Sequence, residues 1–138
     1  MALVLDTGVV VALLDGDEPH HDRCARLVRD TMEDLVLPAP TLGEIDYWFR
    51  KRGRVATWVR FVEEITAGAF QLHRPGEEEV ERTARLELQY DDLDLGFVDA
   101  SVVVTCETLG ETKLATLDRR HFSVVRPRHC EALTLLPE

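Results

Sequence analysis

Short apolar runs alternate with helix-length segments along this sequence, and that alternation leaves few folds open. Ala2 to Leu5 and Leu35-Val36-Leu37 read as buried strands, the second closed by Pro38 and Pro40. Phe70-Gln71-Leu72, Lys113 to Leu117, Val124-Val125 and Leu133 to Leu136 are further short strand candidates. Between them lie helical stretches. Thr7 to Leu14 is the first. A second is opened by Asp17-Glu18-Pro19 and runs through about Asp30. Thr41 to Arg52 and Val55 to Thr66 are separated by Gly53, and Glu77 to Tyr90 and Phe97 to Leu109 complete the set, the last ending at Gly110. The pattern predicts an α/β fold, a mainly parallel sheet with helices on both faces. Sheets of this kind put their sites beyond the carboxyl ends of the strands, near the point where strand order reverses.

The length of 138 residues predicts one domain spanning 1–138, with a core that needs no staples. With 45% hydrophobic residues the chain is not of the disordered class. Its longest aliphatic run, Val9 to Leu14, falls far short of the ~20 residues of a membrane span. Met1 to Asp6 has neither a basic region nor a cleavage site, so no signal peptide is expected. Cys24, Cys106 and Cys130 form no metal-ligand pair and no even framework, which fits free thiols in a reducing cytoplasm. The formal charge of −10 excludes a protein that coats nucleic acid uniformly, and suits an acidic metal pocket or a basic partner. Two basic islands interrupt the acidic background. One holds Arg50, Lys51, Arg52, Arg54 and Arg60; the other holds Arg119, Arg120, Arg126 and Arg128, with His121 and His129.

Four acids stand where such a sheet would place its chemistry. Asp6 directly follows the first strand, and Asp118 follows Leu114-Ala115-Thr116-Leu117. Each also suits a helix cap or a turn. Glu44 closes Thr41-Leu42-Gly43-Glu44, a capping-box pattern in which Thr41 caps the helix and Glu44 reaches back to it. Asp99 lies in an almost wholly apolar segment, Phe97 to Val104, where an ionised carboxylate needs a partner; Asp94 is the expected cap of that helix. If the four converge, they repel one another and burial raises their pKa values. A divalent cation relieves both effects. Oxygen ligands with no His or Cys nearby suit Mg²⁺ or Mn²⁺, ions that support phosphodiester hydrolysis. Thr7 and Thr116, each close to an acid, are placed to orient carboxylates or a water.

Asp6-Thr7, Glu44 after Pro-Ala-Pro, Asp99-Ala100 and the closing stretch Leu114-Ala-Thr-Leu-Asp118-Arg-Arg-His-Phe-Ser-Val-Val-Arg-Pro127 together resemble a PIN-domain ribonuclease of the VapC toxin type. The resemblance covers almost the whole chain. It implies a three-layer α/β/α fold and a Mg²⁺- or Mn²⁺-dependent endoribonuclease. Asp6 and Asp99 would be core metal ligands, Glu44 would bind metal or position water, and Asp118 would be the fourth acid, with Thr116 the hydroxyl before it. Gly8 replaces a serine commoner in the family. The resemblance also implies a homodimer and a cognate VapB-type antitoxin whose basic tail enters the acidic pocket. Arg50, Lys51, Arg52, Arg119 and Arg120 are the candidate RNA phosphate contacts. Trp48, Phe49, Trp58 and Phe61 read as core or dimer interface.

Two other classes meet parts of the pattern. A phosphotransfer receiver would carry an acidic pair after its first strand and a Lys after a later one. An aspartate-nucleophile phosphatase would carry an acid at position 8, where this chain has Gly. A non-catalytic PIN-like binding module would keep the fold without needing the acids.

Overall fold

A computed structural model describes all residues from Met1 to Glu138. The chain runs β1 (Ala2–Leu5), α1 (Thr7–Leu14), α2 (His21–Asp30), β2 (Asp34–Pro38), α3 (Thr41–Lys51), α4 (Val55–Thr66), β3 (Gln71–His73) and α5 (Glu77–Gln89). A 3₁₀ turn at Asp91–Leu93 leads to α6 (Phe97–Leu109), β4 (Lys113–Ala115), α7 (Arg119–Phe122) and β5 (Thr134–Leu136). The five strands form one sheet in the order β3-β2-β1-β4-β5, and every pairing is parallel.

Alternation along each strand divides the core between the two faces of the sheet. Leu3, Leu5, Leu37 and Ala115 point to one face, where they meet Val9, Val10, Cys24, Ile45, Phe49 and Phe61 of α1 to α4. Val4, Val36, Leu114 and Leu135 point to the other, against Leu86 of α5 and Ala100 to Val104 of α6. These are the three layers of an α/β/α sandwich. Helices α1 and α6 are apolar around most of their circumference because neighbours cover them widely; Val9 to Ala12 and Ala100 to Cys106 are buried without a break. No helix is long and apolar enough to cross a membrane.

Several local expectations are corrected. Helix α2 begins at His21, not at Asp17. Asp15 ends α1, and its carboxylate takes the Asp17 amide, so residues 16–20 form turns closed by Glu18 N–H to Asp15 O and His21 N–H to Glu18 O. Thr41 and Glu44 form no capping box. Pro40 is already helical (φ −59°, ψ −24°), and the Thr41 hydroxyl donates to Pro38 O at 2.7 Å. Gly96, not Asp94, precedes α6; Asp94 closes the 3₁₀ turn in the left-handed region (φ 55°). Val124-Val125 is a turn after α7, whose amides both donate to His121 O, and Val125 plugs the core.

Candidate active site

The chain leaves β1 for β2 and β3 on one side, then returns to β4 and β5 on the other. Strand order therefore reverses between β1 and β4, whose carboxyl ends lie side by side: Leu5 pairs with Ala115, and the Asp6 amide donates to Ala115 O at 2.9 Å. Asp6 and Thr116 are the next residues on the two strands. The Thr116 hydroxyl donates to Asp6 Oδ2 at 2.8 Å and accepts the Asp118 amide at 3.0 Å. Asp6 Oδ1 accepts the Thr7 amide at 2.8 Å, so Asp6 is also the N-cap of α1. The Thr7 hydroxyl donates to Glu44 Oε1 at 2.7 Å, linking the start of α1 to the first turn of α3. The cap geometry and the clustering of acids thus coexist in the same side chains.

The electrostatics follow from burial. Asp6 is 5% exposed, and desolvation pushes its pKa from 3.8 to about 7. Hydrogen bonds from Thr116 and Thr7 oppose the rise, while the charges of Asp99 and Glu44 add to it. Asp99, in the first turn of α6, is raised chiefly by burial; His121 opposes this, and Asp118 and Glu44 add to it. Asp118 caps α7. Partial burial alone would raise its pKa, but hydrogen bonds from the His121 ring and amide outweigh burial and hold it low. Asp6, Glu44, Asp99 and Asp118, separated by up to 112 positions in sequence, are brought to one edge of the sheet.

One residue in this cluster escaped the sequence reading. His121 Nδ1 lies 2.7 Å from Asp118 Oδ2 and 3.9 Å from Asp99 Oδ2, and its Nε2 lies 3.2 Å from Leu93 O. One ligand atom each from Asp99, Asp118 and His121 falls within 4.8 Å of the others. The expectation of a cluster without histidine is therefore corrected. The usable signal was its position three residues after Asp118, which on one helical turn returns the ring to the cap residue.

The donor set fits a hard divalent cation. Asp99 accepts no hydrogen bond although it is half-buried, and Asp6 carries a pKa near neutrality because it is buried beside the charges of Asp99 and Glu44. A carboxylate group of this kind gains most from an oxygen-seeking ion.

The other candidate residues have distinct settings. Arg119 donates to Pro137 O at 2.7 Å and so ties α7 to the segment after β5. Arg120 is exposed beside Asp118. Arg50, Lys51 and Arg52 lie at the far end of α3 from Glu44, roughly 9–12 Å along the axis. Arg50 pairs with Asp46 at 3.5 Å, Lys51 donates to the Tyr47 hydroxyl at 3.0 Å, and Arg52 stacks 3.4 Å from the Trp48 ring centroid. Phe49 and Phe61 are fully buried, with Trp48 and Trp58 packed against them. A Cβ at Gly8 would meet Leu117 at 3.9 Å, an ordinary contact, so this position does not require glycine.

Comparison with known proteins converges on one group. The family model described as PIN domain matches residues 3–126. Ribonuclease VapC26 of Mycobacterium tuberculosis is 31% identical over 135 residues, covering 98% of this chain and all of that protein. Among solved structures, M. tuberculosis VapC20, a sarcin-ricin loop cleaving toxin, superposes with a TM-score of 0.83 at 17% identity, covering 94% of this chain and 98% of that one. FitAcB from Neisseria gonorrhoeae gives 0.71 at 16% identity, covering 98% and 96%. DNA-bound VapBC from Salmonella typhimurium gives 0.70 at 16% identity, with the same coverage.

Proposed function

This chain belongs to the PIN-domain family, in its VapC-type branch, and from that premise we propose that it is a divalent-metal-dependent endoribonuclease toxin. The observation that carries the reading is the convergence of Asp6, Glu44, Asp99 and Asp118 at the strand-order switch, with Asp6 pushed to a pKa of about 7 by burial among acids. Asp6 and Asp99 would hold Mg²⁺ or Mn²⁺, joined by Asp118 and Glu44. An ion held there would supply Lewis acidity, activating a water near neutral pH and offsetting charge on the phosphodiester.

The protein's own groups do the positioning. The Thr116 hydroxyl fixes the rotamer of Asp6 while also bearing the Asp118 amide. The Thr7 hydroxyl holds Oε1 of Glu44, which leaves Oε2 either to bind the ion or to orient a water. Exposed Arg120, with Arg50, Lys51 and Arg52 farther out, would meet the phosphate backbone of RNA. Arg119 would contribute less, since its guanidinium is occupied by backbone carbonyls.

The acidic site and the charge of −10 suit a cognate VapB-type antitoxin with a basic tail, and the Salmonella typhimurium neighbour was solved as a DNA-bound VapBC. A homodimer fits the exposed apolar stripe Val55, Val59 and Val62 on α4. Free cysteines fit the cytoplasm, where the RNA is.

The test is cleavage of total bacterial RNA by the antitoxin-free protein in Mn²⁺ or Mg²⁺ against EDTA, with Asp99→Asn alongside. Discrete fragments that require metal and vanish in the variant are expected. A variant that melts normally and cuts RNA at the wild-type rate refutes the assignment of Asp99. A folded wild type inactive with every metal shifts the reading to a non-catalytic binding module.

A further inference from the structure

We propose that His121 is a positioning residue that pins Asp118 to the connection leading into Asp99 and thereby sets the spacing of the carboxylates that take up the cation. The proposal rests on the reading of the cluster as a cation site.

The two acids it joins each border a short, irregular segment. Asp118 precedes α7, which is a single turn of four residues and too short to hold itself by helix propagation. Asp99 follows the connection of residues 90–96. That connection contains Asp91, Asp92 and Asp94, and Asp94 occupies the left-handed region at φ 55°, a cost for a non-glycine residue. Like charges and backbone strain both favour loosening. Burial of Leu95 in the core and two long-range hydrogen bonds oppose it. The Arg126 amide donates to the Tyr90 hydroxyl at 2.9 Å, and His121 Nε2 reaches Leu93 O at 3.2 Å.

The other face of the ring decides its role. Nδ1 lies 2.7 Å from Asp118 Oδ2, while the His121 amide donates to Asp118 Oδ1 at 3.1 Å. The ring thus bridges two acceptors, a carboxylate on one connection and a backbone carbonyl on the other. His121 therefore lies among the possible ligand atoms yet acts through Asp118 and Leu93. Partners of this type orient ligands, and their loss typically costs about 10–100-fold in metal affinity.

The test uses the full chain with His121→Ala and His121→Gln. Mn²⁺ affinity is read from the electron paramagnetic resonance of free Mn²⁺, and hydrogen–deuterium exchange is followed at residues 90–98. In His121→Ala, Mn²⁺ binding is expected to weaken about tenfold, with faster exchange at 90–96. His121→Gln, whose amide can donate to one of the two partners, is expected to recover part of both. Wild-type Mn²⁺ affinity and wild-type exchange in His121→Ala overturn the proposal. So does a large loss of affinity with unchanged exchange, which would make His121 a direct ligand. Should both variants fail to fold, hydrogen–deuterium exchange of the wild type with and without Mn²⁺ decides. Slower exchange at 90–96 on Mn²⁺ binding supports the brace, and exchange there that ignores Mn²⁺ overturns it. A wild type that cuts no RNA would defeat the ribonuclease reading while leaving the Mn²⁺ and exchange measurements to decide the role of His121.

Discussion

Asp6→Asn is expected to stabilise the metal-free protein while abolishing its response to metal. Burial moves the folded pKa of Asp6 from 3.8 to about 7, an interval worth about 4 kcal/mol. The direction follows from proton linkage. Between those pH values the folded state binds a proton that the unfolded state has released, so this contribution to stability is fully present below pH 3.8 and is lost as pH rises through about 7. Asn keeps the shape: its Oδ1 can still accept the Thr7 amide, its Nδ2 can donate to the Thr116 hydroxyl oxygen, and it carries no charge to desolvate. In EDTA at pH 8 the variant should exceed wild type by up to about 4 kcal/mol, roughly 14 °C in Tm for a domain of this size. The gap should close toward pH 4, where both side chains are neutral. Comparing the two proteins at each pH cancels the acid sensitivity of the carboxylates that do not face Asp6, leaving only its coupling to Asp99 and Glu44. Saturating Mn²⁺ should reverse the order, because binding to the folded state raises wild-type stability by mass action and leaves the variant unmoved. The assay is thermal melting from pH 4 to 9, with EDTA and with Mn²⁺. A variant no more stable than wild type in EDTA at pH 8, or a gap independent of pH, would refute the argument that Asp6 is a buried charge retained for metal binding.

Three further outcomes follow from the same structure. Glu44→Gln should cost well under about 1 kcal/mol in urea unfolding, since Glu44 is exposed and held by one hydroxyl, yet it should slow cleavage severely; a large loss of stability with normal cleavage would give Glu44 a structural role. Arg82→Ala should cost about 2–3 kcal/mol, because it strands Glu107, now held by Arg82 at 2.8 and 3.0 Å. Burial alone would raise the Glu107 pKa, but Arg82 and the Arg128 amide hold it below 4.5, so the stability it supplies is lost as pH falls below that value, and urea unfolding of the variant should depend less on pH between 5 and 3. Gly8→Ala should raise stability by about 0.5 kcal/mol, as the site has room for a Cβ and alanine favours the helix; a lower Tm would mean that Leu117 cannot adapt.

Much of the fold was legible because its signals are local. Apolar runs of strand length, proline stops after Leu37 and a glycine after Leu109 are nearest-neighbour preferences, and they located β1, β2, α3 to α6 and the layered α/β class. The errors fell where a local pattern met a tertiary competitor. Thr41 and Glu44 match a capping box, but Pro38 O lay within reach of the threonine and the Thr7 hydroxyl claimed the glutamate. Asp17-Glu18-Pro19 resembles a helix start, but Asp15 used its carboxylate to close a turn there. Val124-Val125 has strand composition, yet the short α7 capped its amides and the core took Val125.

The acids divide along the same line. Their identity and their positions relative to strands are written in the sequence, because a carboxylate after an apolar strand must emerge at its end. Their electrostatic state is not. Asp6 is pushed to about 7 and Asp118 is held low, although both are aspartates following buried strands. What separates them is the depth of burial beside β4, a product of parallel pairing between segments about 110 residues apart, and the ring of His121, which one turn of α7 returns to Asp118. Sequence alone determined which groups are available and which strand ends carry them. The tertiary structure decided which are charged, which are braced and which face one another, because desolvation and Coulomb energy depend on distances that only the assembled sheet defines.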